Sequence, residues 1–369
     1  MRCRVDKLPP MVFPLSLMAA EGFEQVAYRY DASTGLRAIV AIHSTVLGPG
    51  LGGTRFWPYL NEEEALIDVT RLAKGMTYKH AAAGLHQGGG KAVIIGDPAR
   101  LRSDELILAY GRFVEELSGR YLTAEDIGTT QADMNLIGTV TSHVTGRSEA
   151  LGGSGDPSPA TALGLVWAMR AVAERLWGEA ELADRHVCIA GVGKVGGALA
   201  DHLHAQGARL TVADVHPAAV AAVVRRTGAD VVAPDIAHAV KADLFAPCAL
   251  GAGLSSITIP ELGCKAVVGS ANNQLATAQD AQRIHDSGVL YAPDYIVNAG
   301  GVINIAEEKV GYDRDRANGQ ISRIHDTVLE VFDLAESAGI TTAAAADRLA
   351  EQRLAEGLNL RRESRGPGQ

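Results

Sequence analysis

The 369-residue chain is poor in aromatic residues and contains no long apolar segment. Phe, Trp and Tyr together make up 5% of it, and no stretch approaches the ~18 consecutive apolar residues of a membrane span. The net charge is −9, from 34 Lys and Arg against 43 Asp and Glu. Nucleic-acid-binding proteins usually carry a basic stripe. We therefore expect no membrane or nucleic-acid partner, and the 47% hydrophobic content suits a globular protein of about two domains.

Cysteine is also scarce. Cys3, Cys188, Cys248 and Cys264 form no CxxC pair and have no metal-ligand spacing. Free thiols in a reducing compartment are the simplest interpretation, which predicts a cytoplasmic protein. His202 and His204 lie two apart in a predicted helix and so do not share a helix face. We predict that the protein has no metal site.

The two ends of the chain are expected to be disordered. A basic segment precedes an apolar stretch at residues 11–20, which superficially resembles a signal peptide. Three prolines interrupt this region and the apolar run is short. We therefore expect residues 1–20 to be a disordered extension, or the working start to lie nearer Met18. The final "RRESRGPGQ" is expected to be disordered too.

The order of periodic segments indicates an α/β protein. A hairpin is predicted from about Glu24 to Ile42, and Asn61 with Glu64 forms a capping-box pattern before an amphipathic helix. A second helix is predicted at Ser103–Leu117. The Gly/Ser/Pro-rich "EALGGSGDPSP" marks a break near residue 150. Beyond it, strands and helices alternate to about residue 301, as in a doubly wound parallel sheet.

Residues 186–214 have the features of a dinucleotide-binding βαβ unit. A strand at His186–Ala190 leads into a G-x-G-x-x-G turn, then a helix from about Val195 to Gln206, then a strand ending at Asp214. The glycines permit a tight turn, close approach of a pyrophosphate and close helix–strand packing. An acidic residue at 214 can bind ribose hydroxyls and repels a 2′-phosphate, so NAD is favoured over NADP. The predicted cofactor contacts are Gly191, Gly193, Lys194, Val195, Gly196 and Asp214.

A lysine that follows three glycines is the main candidate for chemistry in the first half. Burial of Lys91 would disfavour its ammonium form and make it a candidate general base. A substrate could approach a backbone of glycines closely. The alternative is a solvated lysine at a turn. Lys79, twelve residues earlier, Asp126 in "YLTAEDIGTT", and Gly52 and Gly53 in "GLGGTRF" are further candidates.

These segments resemble the Glu/Leu/Phe/Val dehydrogenases, which interconvert amino acids and 2-oxo acids with ammonia and NAD(P). The resemblance runs from about residue 22 to residue 356. "GGGKAVIIGDP" is similar to the family's active-site signature, and "GMTYK", "AEDIGTT", "GGSGDPSP", "APCALGA", "GSANNQLA" and "YAPDYIVNAGGVIN" are similar to further family blocks. Branched-chain members, especially actinobacterial valine dehydrogenases, are the most similar.

The resemblance implies a role for each matching residue. Lys79 would hold the substrate carboxylate, Lys91 would act as general base through a water, and Asp126 would transfer the proton on the amino nitrogen. Thr161 would bind the nicotinamide carboxamide, and Asn273 and Asn298 would contact cofactor or substrate. The implied fold is an N-terminal α/β substrate domain (1–150) and a Rossmann NAD-binding domain (151–325) with a cleft between them. C-terminal helices (326–369) would return to the first domain, and relatives are homo-oligomers.

The substrate pocket would be lined by Leu51, Ala124, Val302 and Ile305. Glutamate-specific relatives have a lysine near position 51 and a serine near 305, which Leu51 and Ile305 cannot replace as partners of a carboxylate. Burying that carboxylate unpaired would cost several kcal/mol, so glutamate is excluded. One methylene is worth only ~1–3 kcal/mol. We therefore expect valine, leucine and isoleucine all to react, and the resemblance to valine dehydrogenases implies that L-valine is favoured.

Two alternatives stay open at this point. Phenylalanine would be the substrate if the pocket were deeper than Val302 and Ile305 suggest. A non-catalytic NAD-binding sensor could share the fold, since fold alone does not fix function. Loss of Lys79, Lys91 or Asp126 would favour a sensor, and all three are present.

Overall fold

The computed structural model describes residues 14–249 and 251–365. By their contacts these residues form two compact units. Among the described residues, unit 1 comprises 14–78, 86–151 and 357–365, and unit 2 comprises Lys79–Leu85 and Gly152–Glu356 without residue 250. None of the described helices is both long enough and apolar enough to span a membrane.

Eleven strands and fourteen α-helices are found in the described residues. The strands are β1 (Gln25–Asp31), β2 (Leu36–Ser44), β3 (Gly50–Trp57), β4 (Gly88–Ile95), β5 (Tyr121–Glu125), β6 (His186–Ala190), β7 (Arg209–Ala213), β8 (Asp230–Val231), β9 (Leu244–Pro247), β10 (Ala266–Val267) and β11 (Leu290–Tyr291). The helices are α1 (Pro14–Glu21), α2 (Glu62–Ala82), α3 (Pro98–Leu101), α4 (Asp104–Glu116), α5 (Gln131–Ile137), α6 (Ser158–Trp177), α7 (Lys194–Ala205), α8 (Pro217–Thr227), α9 (Gln279–Asp286), α10 (Asp294–Val297), α11 (Gly300–Ala306), α12 (Arg314–Ile321), α13 (Ile324–Ala338) and α14 (Thr342–Arg365).

Unit 1 is a five-stranded sheet with helices on both faces. Its strand order is β1-β2-β4-β3-β5. The hairpin β1–β2 is antiparallel and β4 is antiparallel to β2, whereas β3 is parallel to both β4 and β5. Alternate residues of a strand point to opposite faces. Accordingly, the odd-numbered Ile39, Ala41, Val93 and Ile95 pack against α2, and the even-numbered Val40, Ile42, Ala92 and Ile94 pack against α4 and α5.

Helix α2 begins where the capping pattern predicted. The Asn61 side chain accepts a hydrogen bond from the backbone N–H of Glu64 (2.8 Å), as an N-cap should. The Glu64 carboxylate accepts from the N–H of Leu60 rather than of Asn61. The sequence therefore predicted the helix start correctly, with a cap one residue wider than a standard capping box.

Unit 2 contains a six-stranded, fully parallel sheet in the order β11-β10-β9-β6-β7-β8. The chain starts at β6 in the middle, winds outward to β8, and then crosses to β9 on the other side. This reversal of strand order is the switch point of a doubly wound sheet, where ligands bind at the carboxyl ends of the strands. The predicted α/β class with a Rossmann sheet is confirmed.

The structure corrects the expectation of disorder at both ends, as far as it describes them. Residues 14–21 form helix α1, because Leu17 and Met18 pack against the apolar cluster between α2 and the sheet. Helix α14 continues through residue 365, and the Arg361 guanidinium donates to the backbone oxygen of Thr45. Residues 1–13 and 366–369 lie outside the described residues.

The C-terminal helices were predicted to return to the first domain, but most of their residues belong to unit 2. Helix α13 and most of α14 have their contacts in unit 2, and the chain joins unit 1 from residue 357 onward. At that point Gly357 lies close to Val46 and Leu47 of unit 1. Arg353, just before it, donates to the carbonyl oxygen of Ala82 at the end of α2. Residues Lys79–Leu85 belong to unit 2 as well.

Candidate active site

Four of the candidate residues of unit 1 lie on one face of the sheet. Leu51 pairs with Leu122 and Gly53 with Ala124 across the parallel strands β3 and β5. Leu51 also pairs with Gly89 of β4, which places Lys91, two residues further on, on the same face as Leu51. The structure therefore places Leu51, Gly53, Ala124 and Lys91 on the same face of neighbouring strands.

The glycines before Lys91 are part of strand β4 and not a turn, which excludes the solvated-turn alternative. A Cβ on Gly89 would lie 2.0 Å from Thr77 Oγ1 of α2, and one on Gly90 would lie 2.7 Å from the ring of Tyr121. A Cβ on Gly52 would lie 1.8 Å from the carbonyl oxygen of Gly90. Our interpretation of these glycines as room for a substrate needs correcting. At Gly89 and Gly90 the protein's own helix and tyrosine fill that space.

Lys91 and Asp126 form a buried ion pair. Lys91 Nζ lies 2.7 Å from Asp126 Oδ2, and the two side chains are only 9% and 21% exposed. Burial raises the pKa of Asp126, but the neighbouring charges of Lys91 and Arg55 outweigh burial and hold that pKa below its ordinary value. Asp126 is therefore a carboxylate at neutral pH, directly hydrogen-bonded to the predicted general base.

The loop after β5 fixes the position of Asp126. The Asp126 N–H donates to Thr129 Oγ1 (2.9 Å), and that hydroxyl donates to the carbonyl oxygen of Thr54 in β3 (2.8 Å). Gly128 has φ = +82°, and a Cβ there would lie 2.0 Å from the carbonyl oxygen of Phe56. The "EDIGTT" segment thus follows β3 closely and holds Asp126 at the edge of the sheet.

Sequence reasoning missed a second layer of charge behind Asp126. Arg55 Nε lies 3.3 Å from Asp126 Oδ2, and Arg55 NH1 lies 2.8 Å from Asp68 Oδ2 on α2. Asp68 also accepts from the Tyr59 hydroxyl (2.7 Å) and pairs with Arg71 (2.9 Å). The available signal was alternation, because Arg55 is two residues from Gly53 in β3 and so shares its face.

In unit 2 the glycine turn has the shape that a dinucleotide requires. A Cβ on Gly191 would lie 2.7 Å from Ala249, and one on Gly196 would lie 1.9 Å from the carbonyl oxygen of Gly191. A Cβ on Gly193, in contrast, has no described atom within 4 Å. The first and third glycines are thus required by packing, and the second leaves open space where a pyrophosphate approaches in such turns.

The groups around this turn also fit NAD. Helix α7 begins at Lys194, with Val195 in the same first turn, and its N-cap Gly193 has no side chain to cap the first N–H groups. These N–H groups favour an anion. Asp214 follows β7 and accepts from the N–H of Val192 (2.7 Å) and of His216 (2.8 Å). The carboxylate is therefore fixed beside the turn, where ribose hydroxyls bind in this fold.

A second group of predicted residues lies together in unit 2. The Asn298 side-chain amide donates to Asn272 Oδ1 (2.8 Å) and to the carbonyl oxygen of Ser270. Lys79 Nζ lies 3.5 Å from the same Asn272 oxygen. Asn298 Oδ1 is buried and has no hydrogen-bond partner within the described part of the chain. This acceptor can serve a donor such as a nicotinamide carboxamide. Asn272 is not among the residues predicted from the sequence, whereas its neighbour Asn273 is.

Three of the remaining predicted residues, Thr161, Val302 and Ile305, lie where α6 and α11 cross. A Cβ on Gly301 would lie 2.6 Å from Thr161 Oγ1, and one on Gly300 would lie 2.1 Å from the carbonyl oxygen of Ala160. Thr161 Oγ1 also donates to the carbonyl oxygen of Pro157 (3.0 Å). Val302 and Ile305 follow in α11. Asn273 adopts φ = +52°, and its carbonyl oxygen accepts from the N–H of Ala252 (2.6 Å).

The fold and these groups define a nicotinamide-dependent dehydrogenase with a lysine–aspartate pair. Comparison with known proteins agrees. Residues 23–143 match the family model "Glu/Leu/Phe/Val dehydrogenase, dimerisation domain", and residues 152–231 and 211–361 match "Glutamate/Leucine/Phenylalanine/Valine dehydrogenase". The chain therefore belongs to the Glu/Leu/Phe/Val dehydrogenase family. Membership of this family confirms the predicted enzyme class, an NAD-dependent amino-acid dehydrogenase.

Individual relatives are similar over nearly their whole length. A leucine dehydrogenase of Geobacillus stearothermophilus is 50% identical, covering 91% of this chain and 92% of that protein. A valine dehydrogenase of Streptomyces albus is 52% identical, covering 91% and 93%. Among solved structures, the L-tryptophan dehydrogenase of Nostoc punctiforme has a TM-score of 0.82 and 42% identity, covering 93% of this chain and 99% of that one.

Proposed function

We propose that this protein catalyses the NAD-dependent, reversible oxidative deamination of a branched-chain L-amino acid to a 2-oxo acid and ammonia, with L-valine favoured. The observation that carries the proposal is the buried Lys91–Asp126 pair, 2.7 Å apart, in a member of this family. The overall reaction converts amino acid, NAD⁺ and water into 2-oxo acid, ammonium, NADH and one proton. Bound NAD would supply the acceptor for the hydride that leaves the substrate's Cα.

The chain's own residues hold the substrate and move its protons. Lys79 binds the substrate carboxylate as a point charge. Asp126, ionised in this structure, accepts a proton from the substrate's amino group. Loss of hydride from Cα leaves an iminium, and Lys91 as general base activates the water that adds to it. The resulting carbinolamine releases ammonia, and the 2-oxo acid remains.

The cofactor is held by unit 2. The open space at Gly193 and the uncapped N–H groups of α7 would receive the pyrophosphate, with Gly191, Lys194, Val195 and Gly196 forming the turn. Asp214 binds the adenosine ribose and discriminates against a 2′-phosphate. Thr161, Asn273 and Asn298 contact the nicotinamide end. The buried, unpartnered Asn298 Oδ1 supports this assignment.

In each unit, the side chains proposed to line the substrate region are apolar. Leu51 and Ala124 are fully or almost fully buried on the Lys91 face, and Ile305 is buried in α11 beside Val302. None of these four side chains can pair with a distal carboxylate, which disfavours glutamate. Since one methylene changes the free energy by only ~1–3 kcal/mol, leucine and isoleucine should react more slowly than valine but measurably.

We further propose that the protein is a cytoplasmic homo-oligomer. The family description of residues 23–143 as a dimerisation domain supports assembly through unit 1. The buried Cys188 and Cys264 are free, which supports a reducing compartment. Neither property enters the mechanism above.

A substrate panel tests the proposed function. NADH formation by the purified protein should be measured with L-valine, L-leucine, L-isoleucine, L-phenylalanine and L-glutamate, each with NAD and with NADP. We expect the highest kcat/KM for valine with NAD and none for glutamate. A preference for phenylalanine would keep the mechanism and overturn the pocket assignment. NAD binding without turnover of any amino acid would favour the non-catalytic sensor.

A further inference from the structure

Arg55 connects Asp126 to a second carboxylate in unit 1. Its Nε lies 3.3 Å from Asp126 Oδ2 and its NH1 lies 2.8 Å from Asp68 Oδ2. A guanidinium is planar and rigid, so a contact at one nitrogen constrains the direction of the others. The side chain of Arg55 is 19% exposed and that of Asp68 is 17% exposed. The pair is therefore largely screened from water and holds its geometry better than a surface ion pair.

Asp68 is itself held from two further sides. The Tyr59 hydroxyl donates to its Oδ2 (2.7 Å), and Arg71 binds its Oδ1 (2.9 Å). Charges thus alternate from Lys91 through Asp126, Arg55 and Asp68 to Arg71. The groups facing the Asp126 carboxylate are the Lys91 ammonium from β4, the Arg55 guanidinium from β3 and the backbone N–H of Ile127.

We infer that Arg55 is a positioning residue for the reaction: it fixes the Asp126 carboxylate beside Lys91 and keeps it ionised so that it can accept the substrate's amino proton. This inference rests on the proposed function. Lys91 alone cannot do this throughout a catalytic cycle, because a general base gives up its positive charge each time it loses its proton. Arg55 stays protonated at every working pH and is the cation that remains beside Asp126.

Removing the charge at position 55 should change the pH profile of the enzyme. In Arg55→Gln the carboxylate of Asp126 loses its permanent cation, so its pKa rises and the acidic limb of kcat/KM moves to higher pH by about one unit. We expect kcat to fall about tenfold or more while KM for the amino acid changes less, since Arg55 does not touch the substrate. Arg55→Lys, which keeps the charge but not the fork, should restore the position of the limb in part.

A surface pocket next to Arg55 permits a chemical rescue. The pocket has a volume of about 400 Å³ and is lined by Arg55 itself, Trp57, Tyr59, Asp68 and Ile127, among others. In Arg55→Ala it would extend into the space that the guanidinium leaves. Millimolar ethylguanidinium should enter that space and return the acidic limb of Arg55→Ala toward that of the wild type. Ethylammonium, which has the same charge but no planar fork, should do so less well.

Controls separate this inference from a general structural effect and from the proposed function. Arg71→Gln removes a cation from the other oxygen of Asp68 and should leave the acidic limb in place. NADH binding should be unchanged in Arg55→Gln, since the contacts of Arg55 lie in unit 1. Loss of two partly buried ion pairs should lower the thermal midpoint, so activity is compared well below the midpoints of both proteins. The pKa of Asp126, followed by carboxyl NMR in wild type and Arg55→Gln, tests the electrostatic effect even without turnover.

The outcomes are distinct. An active wild type whose acidic limb and Asp126 pKa do not move in Arg55→Gln would overturn the inference and leave the proposed function standing. An equal shift in Arg71→Gln would also overturn it, because the effect would then not depend on the contact with Asp126. A wild type without amino-acid turnover would refute the proposed function, while the Asp126 titration would still decide the electrostatic part.

Discussion

Thr77 of α2 occupies the space that a Cβ on Gly89 of β4 would fill. Such a Cβ would lie 2.0 Å from Thr77 Oγ1 and 2.2 Å from the Thr77 backbone nitrogen. The same hydroxyl forms a hydrogen bond with His43 Nδ1 (2.8 Å), which holds it in place. Close contact of α2 with the sheet therefore depends on this glycine, two residues before Lys91.

Replacing Gly89 by alanine should destabilise unit 1 strongly. Overpacking of a tight contact typically costs about 1–3 kcal/mol, and here backbone and a fixed hydroxyl both lie in the way. We expect a lower urea midpoint for Gly89→Ala and lost turnover from the displaced Lys91. Gly75→Ala is the matched control, since Gly75 also lies in unit 1 and its Cβ would meet nothing within 4 Å of the described atoms. Ala is better than Gly by about 1 kcal/mol inside a helix, so Gly75→Ala should raise the midpoint.

Removing the Lys91 side chain should stop catalysis without preventing NADH binding. General acid–base catalysis contributes about 10²- to 10⁴-fold, and we expect kcat of Lys91→Ala to fall by that factor. Lys91→Arg keeps the cation next to Asp126 but cannot release its proton, so it should be equally inactive. Lys74→Ala, which breaks an exposed pair with Glu21 in the same unit, should keep full activity. Substantial turnover by Lys91→Arg would contradict the role of general base.

Secondary-structure elements could be predicted from the sequence where a residue type has one predominant structural role. Asn61 identified the start of α2, and the G-x-G-x-x-G turn with Asp214 identified the dinucleotide-binding sheet to within one residue of its helix and strands. The role of Gly89 and Gly90 was predicted wrongly from the sequence. A glycine that leaves space for a substrate cannot be distinguished there from one that leaves space for Thr77 or Tyr121.

Other features depend on tertiary contacts that no local pattern records. The Arg55–Asp68 pair joins residues thirteen apart on a strand and a helix, and Asn272 reaches Asn298 across twenty-six residues. Helix α1 was predicted to be disordered because three prolines interrupt residues 1–20. Its stabilisation comes from Leu17 and Met18 packing on a cluster formed by β2, β4 and α2. Such contacts require the fold to be known first.

Asp68 should make the stability of unit 1 depend on pH. Burial raises its pKa, but the hydrogen bond from Tyr59 and the charges of Arg55 and Arg71 outweigh burial and lower it. A carboxylate with a lowered folded-state pKa adds stability above its unfolded value of about 3.9, and that stability is lost as pH falls through the folded pKa. Asp68→Asn should therefore be less stable than wild type by about 1–3 kcal/mol at pH 7, and the difference should shrink below about pH 4.

Urea unfolding of both proteins from pH 7 to pH 3 measures this difference. Glu62→Gln is the control, because Glu62 is 70% exposed and pairs with Arg37 at the surface. Exposed pairs contribute about 0–1 kcal/mol, so this variant should follow the wild type closely. A constant difference between Asp68→Asn and wild type across the pH range would mean that the Asp68 charge does not stabilise the fold.

Substitution by alanine should weaken NADH binding at Gly193 and lower thermal stability at Gly196. A Cβ on Gly193 has no described atom within 4 Å, whereas one on Gly196 would lie 1.9 Å from the carbonyl oxygen of Gly191. If the open space at Gly193 receives a pyrophosphate, Gly193→Ala should keep the thermal midpoint of the wild type and weaken NADH binding about tenfold or more, a loss of at least ~1.4 kcal/mol. Gly196→Ala should instead lower the midpoint, because the helix must move away from the strand. Fluorescence titration with NADH and thermal unfolding of both variants separate the two effects, and undiminished NADH affinity in Gly193→Ala would place the pyrophosphate elsewhere.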